Sequence, residues 1–182
     1  NAPPVPILIK STISIEGWDL IRTEFVNSNL TFCPEFLRAE TALEDFKNTK
    51  HFMMGGDNVG LWSGVYIKAM GNISISNASV AELILTKYAR NSFLALKVAY
   101  FNELYDLCDQ LEVDFETVRQ YTIQDERIGE SHTMVTDDRG FGGHCFPKDT
   151  KAFATLGKHC GTPLTILEQA IQYNIHIRKD NV

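Results

Sequence analysis

The sequence has little of what would mark it as secreted, membrane-bound or nucleic-acid-binding. Its four cysteines, Cys33, Cys108, Cys145 and Cys160, lie far apart and form no C-x-x-C pair. That spacing fits reduced thiols in a cytoplasmic protein better than a disulfide framework or a zinc site, and no metal-ligating set is expected. No apolar run approaches the roughly 20 residues that span a bilayer, and no stretch reads as a signal peptide. Lysine and arginine number 17 against 23 acidic residues, a formal net charge of −6. This balance argues against a nucleic-acid surface and against an anionic membrane patch. Internal repeats and low-complexity tracts are absent. So is the G-x-G-x-x-G fingerprint that opens a dinucleotide-binding βαβ unit. The glycine-rich run Gly55-Gly56-Asp57-Asn58-Val59-Gly60 has a different spacing and reads as a strand-to-helix turn.

What remains is a chain of 182 residues, 44% hydrophobic and 22% charged, long enough for one domain of good size or one and a half. The first part alternates strand and helix. Residues 6–14 read as a buried strand, 18–25 as a helix and 30–33 as a short strand stopped by Pro34. Residues 50–54 read as a third strand, and a helix follows through Trp62, Val65, Tyr66 and Ala69, with Asp57 or Asn58 as its cap. A brief strand at 72–76 closes the series, which has the rhythm of an open α/β sheet with crossover helices. From 78 to 111 there is neither glycine nor proline, and apolar residues recur at helical steps. A helix of that length would run roughly 50 Å, long enough to tie two domains together or to form a subunit interface. Asp114 caps another helix to about 126, and helices at 147–160 and 162–178 complete a bundle. N-x-S/T sequons start at Asn29, Asn72 and Asn77 and are read as chance. Asn1-Ala2 reads as an expression scar, and the chain as a piece of something longer.

The densest chemistry lies in Gly140 to Asp149, G-F-G-G-H-C-F-P-K-D. Glycines allow positive φ and close ligand approach, and Pro147 is well placed to start a helix. Cys145 then sits just before a helix N-terminus, where the dipole and Lys148 both favour a thiolate. Asp149, four residues on, is placed to hold or deprotonate a water. A buried structural cysteine in a glycine turn is the plainer alternative. Lys87 and Asn91 are one helical turn apart and share a face, suited to clamping an oxyanion or a sugar hydroxyl, although such pairs are more often solvated.

These segments resemble the UDP-glucose/GDP-mannose dehydrogenase family, NAD-dependent enzymes that oxidise the C6 alcohol of a nucleotide sugar to a carboxylate. The Gly140–Asp149 run is similar to the active-site cysteine motif, with His144 where the family usually has a small serine. The run from Lys87 to Glu103, K-Y-A-R-N-S-F-L-A-L-K-V-A-Y-F-N-E, resembles the central helix whose Lys and Asn line the substrate pocket. Pro34-Glu35-Phe36-Leu37-Arg38 resembles the family's P-E-F-L-R-E-G, but Ala39 and Glu40 replace its Glu and Gly. Lys10-Ser11-Thr12 matches a K-S-T at a strand end, and Asp125-Glu126-Arg127-Ile128-Gly129 resembles a segment that reaches a neighbouring subunit's nucleotide. For Glu35 a capping or surface role is the alternative, and for Arg127 an exposed helix-ending arginine.

The resemblance implies the end of a Rossmann-type NAD-binding domain (3–76) followed by an all-α central dimerisation domain (77–182) with one long helix. It implies a four-electron oxidation using two NAD, through a thiohemiacetal and a thioester on Cys145. Lys87 and Asn91 would stabilise the oxyanion, Asp149 and Thr12 would manage water, and Glu35 would serve as base. Phe36, Leu37, Arg127 and Gly142 would bind substrate, and Lys148 the cofactor. The expected partners are a nucleotide sugar, UDP-glucose first, and a second copy of the chain. GDP-mannose and UDP-amino-sugars stay open as substrates, as does a dimerisation module inactive by itself. A hydroxyacid-type dehydrogenase is disfavoured, because it needs no nucleophilic cysteine.

Overall fold

The computed structural model describes residues 4–38 and 40–178, so Asn1-Ala2 and Ala39 lie outside the described residues. The chain divides into two compact units, Asn1–Lys87 and Tyr88–Val182.

The first unit holds β1 (Pro6–Ile9), α1 (Ile15–Glu24), β2 (Asn29–Phe32), α2 (Ala42–Asn48), β3 (His51–Gly56), α3 (Val59–Met70) and β4 (Ser74–Asn77). The strands are ordered β1-β2-β3-β4 in one sheet. β1 and β2 run parallel from Pro6 opposite Asn29 to Ile9 opposite Phe32, and β3 and β4 run parallel from His51 opposite Ser74. Between them β2 and β3 pair antiparallel, Thr31 opposite Gly56 and Phe32 opposite Gly55, so the sheet is mixed.

The expected strand at 6–14 stops at Ile9 because Ser14 is taken as a helix cap, its hydroxyl accepting from Gly17 N at 3.0 Å. α3 starts without a side-chain cap. Asn58 is left-handed at φ 46°, and the Asp57 carboxylate instead accepts from Leu30 N (3.1 Å) and pairs with Arg22 (3.2 Å). The short helix α2 has no buried residue and therefore left no apolar stripe to read. It is organised by Asp45, which accepts from the backbone and guanidinium of Arg38 and from the Thr41 hydroxyl. The core gathers Cys33, Phe52, Met54 and Tyr66, with Leu8, Phe46 and Trp62 packed on it. Phe46, Phe52 and Tyr66 meet edge to face at 4.9 to 6.2 Å, the arrangement their quadrupoles favour.

α4 (Val80–Gln110) runs 31 residues, about 46 Å at 1.5 Å per residue, and the boundary between the units falls within it. Its start is a capping box: Ser79 N donates to Glu82 Oε2 (2.7 Å) and Glu82 N to Ser79 Oγ (3.2 Å). It ends where Glu112 turns left-handed (φ 54°) and Val113 N reaches back to Cys108 O. The second unit continues with α5 (Phe115–Ile123), α6 (Phe146–His159) and α7 (Thr165–Ile177). Asp114 caps α5 as expected, accepting from Thr117 N at 2.8 Å, but α5 ends three residues short of 126 because Asp125 binds the Arg127 backbone and opens a turn. Here the core is Ala95, Ala99 and Phe141, joined by Val98, Phe146, Ile171 and Tyr173.

Candidate active site

The candidate residues divide between the units. In the first, parallel pairing sends β1 and β2 out of the same end of the sheet, and Cys33 N extends the ladder to Ile9 O at 2.9 Å. Lys10 and half-buried Thr12 leave β1 there, and Glu35, Phe36 and Leu37 leave β2. The Lys10 ammonium lies 3.4 Å from the Glu35 carboxylate and over the rings of Phe46 and Tyr66, at 5.6 and 5.7 Å. Burial pulls this amine down, but Cys33, Tyr66 and Glu35 outweigh it and leave it above its ordinary value. Burial pushes the Cys33 thiol and the Tyr66 phenol up, against the pull of Lys10. At neutral pH the cluster is therefore an ammonium with a neutral thiol and phenol behind it. Lys87, only 7% exposed, donates to the backbone oxygen of Glu35 at 2.9 Å, so it is not part of a solvated helix face.

In the second unit Cys145 is the cap residue of α6 and is exposed, which excludes the buried structural cysteine. Asp149, one turn into the helix and fully buried, accepts from Asn91 Nδ2 at 2.6 Å and pairs with Lys148 at 2.5 Å. Its backbone N–H closes the first turn on Cys145 O at 2.9 Å. The structure thus brings Asn91, Lys148 and Asp149 into one hydrogen-bonded set below Cys145, and His144 beside them is exposed. Gly142 lies under the guanidinium of Arg178: a Cβ there would fall 2.5 Å from it. Arg127 is exposed and gripped by Asp125 at 2.5 Å, in a turn that Lys97 fastens to α4 by donating to Ile128 O and Gly129 O.

Several residues that shape this site were not picked out from the sequence. Asn102 Oδ1 accepts from Gly140 N (3.0 Å) and Arg139 Nε (2.9 Å). Asn174 bonds both the N–H and the C=O of Phe141. Asp106 takes Arg139 at 2.5 Å and the Tyr173 hydroxyl at 2.8 Å; burial first, then this acceptor, pushes the phenol far up. A signal for Asn102 did exist. It stands eleven residues after Asn91, three turns on the same helix face.

The chain belongs to the UDP-glucose/GDP-mannose dehydrogenase family. The model of that family's central domain matches residues 79–176. A UDP-glucose 6-dehydrogenase of Rickettsia typhi is 34% identical over 178 residues, covering 92% of this chain and 40% of the relative. The structure of a UDP-glucose dehydrogenase from Pyrobaculum islandicum superposes with a TM-score of 0.82 at 32% identity, over 94% of this chain and 41% of the other. This chain thus spans about two fifths of these relatives. A 3-hydroxyisobutyrate dehydrogenase of Mycobacterium tuberculosis shares the fold at 17% identity (TM-score 0.73, 94% of this chain and 64% of the other). A Cβ at Gly55 would lie 2.2 Å from Ala78 O, and one at Gly56 2.5 Å from Leu30 O, so both glycines face the chain's own backbone.

Proposed function

We propose that the chain carries the covalent-catalysis portion of a cytoplasmic nucleotide-sugar 6-dehydrogenase acting on UDP-glucose, within a protein whose hydride acceptor is NAD. The reading rests on the exposed Cys145 at the start of α6, with buried Asp149 beneath it and bonded to Asn91. The hydride transfers belong to the cofactor. What the chain's own residues supply is acyl chemistry. The Cys145 thiolate adds to the C6 aldehyde and forms a thiohemiacetal, whose oxyanion takes hydrogen bonds from Asn91 and Lys87. Oxidation of the thiohemiacetal gives a thioester, which is attacked by water ordered by Asp149 and Thr12, with Glu35 accepting the proton and Cys145 leaving as thiolate. Phe36, Leu37, Gly142 and Arg127 are the proposed substrate contacts and Lys148 a cofactor contact. In an active dehydrogenase carrying this chain, Cys145→Ser abolishes carboxylate formation and leaves nucleotide-sugar binding nearly unchanged. Uronate production at the wild-type rate would remove Cys145 from the mechanism.

The proposed partner is a second copy, docked on α4 and α7. Phe93, Tyr100 and Leu107 are 67%, 58% and 55% exposed along one face of α4, and Ile166 on α7 is 77% exposed. Such a face is larger than monomers usually leave in water. Tyr88, on the same helix, is buried in its own unit against Phe153 at 5.9 Å and adds nothing to that face. Sedimentation equilibrium should give twice the 20.5 kDa chain mass; a monomer at micromolar concentration would sink the dimer.

A further inference from the structure

Residues 139–141 belong to no helix or strand, yet their backbone polar groups are bonded one after another. Arg139 N donates to Thr136 O at 3.0 Å, and Arg139 O accepts from Arg178 Nη1 at 3.1 Å. Gly140 N donates to Asn102 Oδ1 at 3.0 Å. Phe141 N donates to Asn174 Oδ1 at 2.6 Å, and Phe141 O accepts from Asn174 Nδ2 at 2.9 Å. The Asn174 amide therefore pairs with Phe141 as a neighbouring strand would, satisfying a buried peptide that has no ladder. Both asparagines are buried, at 1% and 6% exposure. The fit leaves no slack: Gly140 is left-handed at φ 54°, and a Cβ on it would lie 2.2 Å from Asn174 Oδ1. Beyond Phe141 the character reverses. Gly143 meets nothing within 4 Å of a Cβ position, and His144 and Cys145 are exposed, until buried Asp149 and Thr150 anchor α6.

We propose that Asn174, supported by Asn102, is a positioning residue for Cys145. Its two-point bond to Phe141 fixes the near end of the Gly142–Cys145 segment, whose far end is fixed by Asp149, so that the thiol is held in one place. Its consequence for turnover rests on Cys145 being the nucleophile; the clamp itself does not.

Two measurements test this on the 182-residue chain. Amide hydrogen exchange should find Phe141 N–H at least about 100-fold slower than Gly143 N–H, because the first is buried and bonded and the second is open. Equal rates would overturn the proposal without any variant. Next, a trifluoromethyl ketone tag is placed on Cys145 in a Cys160→Ser background, Cys33 and Cys108 being buried. The expected result is one ¹⁹F resonance, shifted or split in Asn174→Leu. Asn174→Asp, which keeps the acceptor for Phe141 N and loses the donor to Phe141 O, should shift it less. Leu167→Ala loosens α7 at a 4%-exposed core position and should leave the signal in place. An unchanged signal in folded Asn174→Leu, or an equal shift in Leu167→Ala, would reduce Asn174 to ordinary packing and overturn the proposal. If Asn174→Leu does not fold, the exchange result decides. Should Cys145→Ser keep its turnover while these signals behave as stated, the proposed function fails and the clamp stands.

Discussion

In the first unit the candidate residues lie in chain that has just left a strand, and hydrophobic burial fixes them. Phe32 and Cys33, fully buried, immediately precede Pro34 and Glu35, and the Phe46–Phe52–Tyr66 cluster packs below Lys10. In the second unit the nucleophile candidate hangs from a glycine turn with little packing of its own. That turn is fixed by side-chain amides, an ion pair and a buried carboxylate drawn from α4, α6 and α7. The difference teaches that the two sets should fail differently. Removing apolar volume should disturb the first, whereas removing single hydrogen bonds should disturb the second.

The largest expected effect lies in the first unit. Phe32→Ala deletes a fully buried ring next to the P-E-F-L-R segment and should cost about 3–5 kcal/mol, read as a drop in the denaturant midpoint. A loss below about 1 kcal/mol would mean that burial does not set this end of the sheet.

Next is Asn91→Leu, which keeps volume but removes the donor to buried Asp149. On the proposed mechanism it should lower kcat by roughly 100- to 1,000-fold in an active dehydrogenase carrying this chain. A change confined to KM would move Asn91 from the reacting centre to ground-state binding.

The smallest effect concerns Glu116, held down to about 2 by hydrogen bonds from Arg119 and then Gln120. A carboxylate depressed in the folded state adds stability above its ordinary value, and that stability is lost as pH falls through about 2. Glu116→Gln should therefore lower Tm at pH 6, and the gap from wild type should close near pH 2. A gap that does not change with pH would assign the effect to packing around buried Arg119 instead.

What the sequence made legible follows the range of the interactions. α4 was readable because 34 residues without glycine or proline carry apolar residues at helical steps, and the start of α6 because Pro147 follows a glycine turn. The P-E-F-L-R segment was readable as a strand exit, whereas K-S-T fell inside the expected strand 6–14 and was placed at a strand end only by the resemblance; parallel pairing of β1 with β2 sends both from one sheet end. The antiparallel β2–β3 pair was not readable, since strand direction depends on how the chain returns through α2, and α2 sends only Phe46 to the core. The bonds that Asn102 and Asn174 make to the 139–141 turn span 33 to 38 residues. Taken singly, each is an ordinary helix asparagine, and its side-chain oxygen finds these donors only in the folded turn opposite.

The account's central claim is that Cys145 carries the sugar covalently, and a trapped intermediate tests it most directly. In an active dehydrogenase carrying this chain, Glu35→Gln should slow thioester hydrolysis. Acid quenching after addition of UDP-glucose and NAD, followed by peptide mass spectrometry, should then find the oxidised sugar nucleotide attached to the Cys145 peptide. Free uronate accumulating with no adduct on Cys145 at any quench time would contradict the account.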